Sequence, residues 1–160
     1  MPAQNSQNSQ RVKIRDFSQS LPMALLRGRE AIMRHFRSIL REHDLTEQQW
    51  RILRALNAVE ESEVTTLANT TFLLGPSLSR ILKDLEGRSL IARRTPENDQ
   101  RRNIISITKA GMELVDVAGA QSEAVYQQIT KKIGKENYAS LLSMLRELET
   151  VMQAGEEAGN

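Results

Sequence analysis

The sequence predicts a mainly α-helical protein that carries a single β-hairpin, and three observations lead there. Of 160 residues 39% are hydrophobic, yet only one Trp, two Tyr and three Phe are present; that balance favours aliphatic helix seams over the aromatic and β-branched faces of sheets. Apolar residues recur with helical period along most of the chain. The period fails in one place, between about Leu90 and Thr108, where two short alternating stretches flank the polar loop Pro96 to Arg102.

The elements follow in order. The first 19 residues are rich in Gln, Asn and Ser and hold no apolar core segment, so they read as a disordered tail and not as a signal peptide. No later apolar run is long enough to span a membrane. From Leu21 to His43 the residues Leu25, Leu26, Ile32, Met33, Phe36, Ile39 and Leu40 fall on one helical stripe. Thr46 then reads as an N-cap, Gln49 completes a capping box, and Leu45 and Trp50 are placed for a hydrophobic staple. That second helix runs to about Val59 and buries Ile52, Leu53 and Leu56. After the acidic run Glu60 to Glu63, a short helix carries Leu67 and Ala68, and a turn over Thr70 to Leu74 leads to a helix starting at Pro76. Proline suits a first helical position because the N–H it lacks would have no partner there. This helix reaches about Arg88 with Leu78, Ile81, Leu82 and Leu85 inward. Leu90 to Thr95 and Asn103 to Thr108 form the hairpin strands. Thr108 caps a helix to about Ile133, seamed by Leu114, Val115, Ala118, Val125 and Ile129, and Gly134 interrupts it. A last helix, about Lys135 to Met152, puts Tyr138, Leu141, Leu142, Leu145, Leu148 and Met152 on a stripe that Met144 and Val151 widen beyond what a surface helix buries.

Two short helices joined by a tight turn, the second showing Ser77, Ser79, Arg80 and Lys83 outward, form a helix-turn-helix; with the hairpin directly after, they form a winged helix. Net charge is only +2, but Pro76 to Arg102 holds seven Arg or Lys against four Asp or Glu, so the basic character is local. Ser77 and Ser79 can approach base edges or phosphates near the helix N-terminus, and Arg80 and Lys83 are long enough to reach guanine or the backbone. The plainer reading of these four is a solvated helix face. Zero Cys excludes a thiolate nucleophile, a disulfide, a thiol switch and a Cys-based metal site. His35 and His43, eight residues apart, make no metal site without a partner subunit. No nucleophile, glycine-rich phosphate loop or pair of catalytic carboxylates is recognisable, so neither an enzyme nor a cofactor is expected. The competing function is that of a helical architectural protein whose basic hairpin binds nucleic acid without specificity. Preference for one short inverted repeat over random DNA separates the two.

Thr46 to Trp50, Leu67-Ala68, the helix Pro76 to Glu86, Leu90-Ile91 and above all Asp99-Gln100-Arg101 leading to Ile107-Thr108-Lys109-Ala110-Gly111 resemble the MarR family of bacterial transcriptional regulators. The resemblance covers about residues 21 to 155. LLRGREAIMRHF, LTEQQWRILRAL and NDQRRNIISITKAG resemble, more narrowly, members that regulate aromatic-acid catabolism. It implies a cytoplasmic homodimer on pseudo-palindromic double-stranded operator DNA, usually a repressor. Residues 20–45 and 109–155 would form the dimerisation helices and residues 46–108 the winged helix-turn-helix lobe. It also implies that Arg101 enters the minor groove, that the Asp99 carboxylate holds the Arg101 guanidinium, and that Arg102 contacts phosphate. A solvated ion pair is the alternative for Asp99 and Arg101. One departure stands out: family members usually carry Gly just before the apolar pair that opens the wing, where the helix end wants a positive φ, and this chain has Ser89, with Gly87 two residues earlier. That leaves the angle of the wing open.

For a regulator of this family without Cys, a small organic effector is what remains as signal. Positions 25, 29, 32, 33 and 36 share a helix face, so Arg29 lies inside an apolar stripe, where a cation needs a carboxylate partner or an anionic ligand. The resemblance implies a pocket where the first helix meets the second, between the dimer lobe and the DNA-binding lobe. Arg29 would take the carboxylate of a small aromatic acid, and Met33 and Trp50 its ring. The alternative is a salt bridge from Arg29 to Glu30, Glu47 or an acid of the mate, with Trp50 a core anchor.

Overall fold

The computed structural model describes residues 14–97, 99 and 101–157. Of the tail expected over residues 1–19, residues 1–13 therefore lie outside the described residues. The rest is not featureless: Phe17–Gln19 make one turn of 3-10 helix capped by Asp16. The Asp16 carboxylate accepts from the Ser18 hydroxyl and backbone N–H, which hold it below its ordinary pKa.

The elements are α1 (Leu21–Glu42), α2 (Glu47–Val59), β1 (Glu61–Glu63), α3 (Val64–Thr71), α4 (Gly75–Gly87), β2 (Ile91–Arg94), β3 (Ile104–Ile107), α5 (Lys109–Ile133) and α6 (Lys135–Glu157). The chain divides after Arg34 into two compact units. In the first, Arg27 donates to the Ser18 carbonyl at 3.0 Å, and Leu21, Leu25 and Leu26 of α1 stay exposed. In the second, Ile52, Leu53 and Leu56 of α2, Leu67 of α3, Leu78, Leu82 and Leu85 of α4 and Ile105 of β3 are fully buried. Each contributes about 1.5–3 kcal/mol of burial before chain entropy is charged against it. The capping box of α2 forms as its sequence predicts: the Gln49 N–H donates to Thr46 Oγ1 at 3.2 Å, and the Thr46 N–H donates to Gln49 Oε1 at 2.8 Å.

Two expectations are corrected. The single hairpin expected between Leu90 and Thr108 gains a third strand, because Glu61–Glu63, to which the sequence assigns no element, pairs antiparallel with β3 and gives a sheet of order β1-β3-β2. Glu-Ser-Glu has little intrinsic strand preference, so backbone pairing with β3 decides its conformation. Pro76 is the second residue of α4, which opens at Gly75 behind Leu74, a cap that makes no side-chain hydrogen bond.

Helices α1, α3 and α4 end alike. Each passes into a left-handed residue that is not glycine, Asp44 (φ 52°), Phe72 (φ 53°) and Ser89 (φ 58°) respectively. The N–H of that residue donates three residues back, to Arg41, Asn69 and Glu86, and the N–H of the following leucine donates five back, to Leu40, Ala68 and Leu85. Leu45 and Leu90 are buried by this turn, and Leu73 packs against the core. The left-handed backbone costs roughly 1–2 kcal/mol in an L-residue, and the inward leucine offsets it. Ser89 thus adopts the positive φ that glycine usually supplies at the wing's root.

One junction fixes that root. The Thr108 N–H donates to the Leu90 carbonyl at 3.1 Å, and the Thr108 hydroxyl donates to the Ser89 carbonyl at 2.7 Å while accepting the Gly111 N–H at 3.1 Å. A Cβ on Gly111 would stand 2.2 Å from the Leu90 carbonyl oxygen and 2.8 Å from Ile107 Cγ1, so only glycine fits. Gly111→Ala is expected to lower stability in guanidinium melts by ~1–3 kcal/mol, whereas Ser89→Gly, which relieves the left-handed strain, is expected to raise it by up to ~1 kcal/mol.

Candidate nucleic-acid interface

The buried side of α4, Leu78, Leu82 and Leu85, turns Ser77, Ser79, Arg80 and Lys83 out to solvent. Among the described residues neither Arg80 nor Lys83 makes an ion pair. Asp84, their acidic neighbour on the helix, is drawn elsewhere: the buried Gln49 amide donates to its carboxylate at 2.6 Å. That bond ties the first turn of α2 to α4. Ser77 and Arg80 also line an open groove of about 550 Å³ shared with Gln48, at the start of α2.

In the wing, acids are assigned to arginines one by one. Arg94 lies 3.0 Å from both carboxylate oxygens of Glu61, Arg102 pairs with Glu63, and Arg93 lies 3.6 Å from Glu86. Strand β1, unseen in the sequence, supplies two of these three acids. Arg101 is exposed and makes no ion pair among the described residues. A phosphate contact by Arg102 would require its pair with Glu63 to open.

Asp99, expected to hold the Arg101 guanidinium, meets the backbone of Arg101. Its carboxylate accepts the backbone N–H of Arg101 at 3.1 Å, and no ion pair joins it to the Arg101 guanidinium among the described residues. An Asp side chain reaches the N–H two residues on more readily than a long side chain folds back to it. With Asp99 N–H donating to the Pro96 carbonyl at 3.3 Å and Arg102 N–H donating to the Asp99 carbonyl at 3.2 Å, Asp99 shapes the loop backbone that carries Arg101.

The expected effector residues are placed as follows. Arg29 is exposed and pairs with Glu30 at 2.9 Å, which is the salt-bridge alternative for it; Leu25 and Ile32 on the same face are exposed too, and of that face only Phe36 is buried. Met33 is half-buried. Trp50 is half-buried against the core, and the guanidinium of Arg54 stands 5.7 Å from its ring centroid. The sequence reading passed over Arg54, although its i,i+4 spacing from Trp50 was the signal. Phe36 packs on Tyr126 at 4.9 Å between ring centres.

Among the described residues no cluster of His, Cys, Asp or Glu could hold a metal ion, and no helix is long and apolar enough to cross a membrane.

Residues 43–102 match the sequence profile of the MarR family. The homoprotocatechuate degradative operon repressor of Escherichia coli is 43% identical over 128 residues, spanning 80% of this chain and 86% of that protein. Among solved structures, NadR in complex with 4-hydroxyphenylacetate superposes with a TM-score of 0.74 at 36% identity, covering 86% of this chain and 97% of that one. The transcriptional repressor CouR bound to a 23-mer DNA duplex superposes with a TM-score of 0.77 at 28% identity, covering 86% and 98%. A chain with this winged helix, matched by the family profile and so similar to these regulators along most of its length, belongs to the MarR family.

Proposed function

We propose that the protein is a ligand-responsive DNA-binding repressor of an operon for breakdown of aromatic compounds, acting in the cytoplasm as a homodimer and by binding, not catalysis. The observation that carries this reading is the set of cations that make no ion pair among the described residues, Arg80 and Lys83 on α4 and Arg101 on the wing, in a chain that pairs Arg93, Arg94 and Arg102. Each α4 would lie in a major groove, with half-sites about 10 bp apart centre to centre. Ser77, Ser79, Arg80 and Lys83 would meet bases and phosphates there. Arg101 would enter the minor groove, where negative potential is focused, and Asp99 would order the loop beforehand. On a duplex selected from random sequence, Arg101→Ala is expected to lose about 1–3 kcal/mol of affinity by fluorescence anisotropy, and Asp99→Ala less. Wild-type affinity should fall steeply with salt as counterions are released. Unchanged binding in both variants would remove the wing assignment.

The homodimer is supported by apolar surface the chain leaves in water: Leu141, Met144, Leu145, Val151 and Met152 on α6 are exposed. A stripe of that kind is costly unless covered, and a second copy offers the same stripe in return. Truncation before Lys135 is expected to abolish the dimer mass and specific DNA binding together. A soluble, operator-binding monomer in sedimentation would contradict it.

An aromatic-acid effector is supported by the NadR complex with 4-hydroxyphenylacetate and by the homoprotocatechuate operon repressor. In this chain Trp50 offers a flat ring, and Arg54, above it, a cation suited to a carboxylate. Arg29 and Met33 keep the roles that the sequence suggested. Because Gln49 neighbours Trp50 and holds Asp84, a shift in the first turn of α2 would reach α4, and the ligand would weaken DNA binding by as much as it prefers the unbound form. Titrating the operator complex with 4-hydroxyphenylacetate is expected to release DNA, with Trp50→Ala and Arg54→Ala needing about tenfold more ligand, the worth of one lost contact of roughly 1.4 kcal/mol. A wild-type complex that no aromatic acid dissociates would sink the effector assignment, and an Arg29→Ala protein that responds as wild type does would remove Arg29 from it.

A further inference from the structure

Two apolar side chains sit where the fold gains little from them. Phe72, in the turn that closes α3, is 77% exposed, and Leu74, the cap residue of α4, is 79% exposed, while Leu73 between them packs against the core. Phe72 carries a double cost: a left-handed backbone that glycine would accept without strain, and an aromatic ring left in water. The inward Leu73 offsets the backbone strain, but nothing in the chain offsets the exposed ring, and an apolar group left in water at a groove marks a position held for function. Both side chains line the same open groove as Gln48, Ser77 and Arg80. The groove therefore sets two apolar groups beside a hydroxyl and a cation that makes no ion pair among the described residues.

Apolar spots next to a cation match a particular feature of the DNA major groove, the 5-methyl group of thymine flanked by backbone phosphates. We propose that Phe72 and Leu74 read thymine methyl groups in each operator half-site, so that base specificity comes from the turn before α4 as well as from α4. The inference rests on α4 being the major-groove helix and adds which base the turn selects. Ser77 and Arg80 supply the hydrogen bonds and the phosphate attraction; the two apolar side chains supply discrimination that hydrogen bonds cannot, since thymine and uracil differ only in the methyl group.

The test uses the full chain and a duplex enriched from random sequence by the wild-type protein, made once with thymidine and once with deoxyuridine in its place. Wild type is expected to bind the deoxyuridine duplex about 15- to 200-fold more weakly, the loss of two to four buried methyl contacts across the two half-sites. Phe72→Gly combined with Leu74→Ser is expected to bind both duplexes within about twofold of each other, at the affinity methyl-free contacts leave. Phe72→Gly relieves the left-handed strain and Leu74 is exposed, so the double variant is expected to melt no lower than wild type, which separates lost discrimination from unfolding. Ser77→Ala should bind more weakly yet keep the thymine preference. Equal wild-type binding to the two duplexes, or a preference that survives in the double variant, overturns the proposal while leaving the regulator reading intact. Failure of wild type to enrich any sequence removes that reading, and this proposal with it.

Discussion

The rest of the DNA-binding unit depends on one close approach, between the Leu90 carbonyl and Gly111. Leu90 ends the turn that closes α4 and opens the wing, and Gly111 lies in the first turn of α5. With a Cβ excluded by the Leu90 oxygen, the two segments come near enough for Thr108 to bond Ser89, Leu90 and Gly111 at once. The end of the outward helix, both strands of the wing and the start of the long helix α5 are thereby set in one rigid corner. A recognition surface made of side chains on a helix and on a hairpin needs this, because a shift of about 1 Å at the root alters the spacing between them by at least as much at the wing tip.

Charge is distributed on that corner by subtraction. The unit is not strongly basic overall; what distinguishes its cations is whether an acid is in reach. Glu61 and Glu63 reach the wing only because β1 pairs with β3, and they occupy Arg94 and Arg102. Gln49 withdraws Asp84 from the neighbourhood of Arg80. Paired arginines on an exposed sheet contribute little to stability, but they determine which cations remain for phosphate and groove. A residue that looks equivalent to its neighbour in sequence, Arg102 beside Arg101, differs from it for this reason alone.

Much of this was legible in the sequence wherever local chemistry and tertiary packing agree. The Thr46–Gln49 capping box, the helical stripe of α4 and the Thr108 cap before Gly111 are short-range patterns whose physics acts within one turn. The family resemblance on the wing motif pointed to the DNA-binding reading that the relatives bear out. What escaped was non-local or ran against propensity. Glu61–Glu63 is a strand by pairing and not by composition. The family resemblance assigns Asp99 to the guanidinium of Arg101, whereas its carboxylate accepts the backbone N–H two residues on. Ser89 hides a left-handed turn because the compensating leucine lies one residue later. Arg29 lies on an apolar helix stripe, but around it Leu25 and Ile32 are exposed in the single chain and only Phe36, further along, is buried.

The central claim is that the outward face of α4 and the wing tip read two different grooves of one duplex. Hydroxyl-radical footprinting of a selected duplex tests it most directly, since the radical attacks sugars from the minor groove. The account predicts two protected half-sites about one helical turn apart, each flanked by minor-groove protection that Arg101→Ala removes while the protection nearer the centre persists. Protection unaltered by Arg101→Ala, or spread evenly along the duplex, would contradict it.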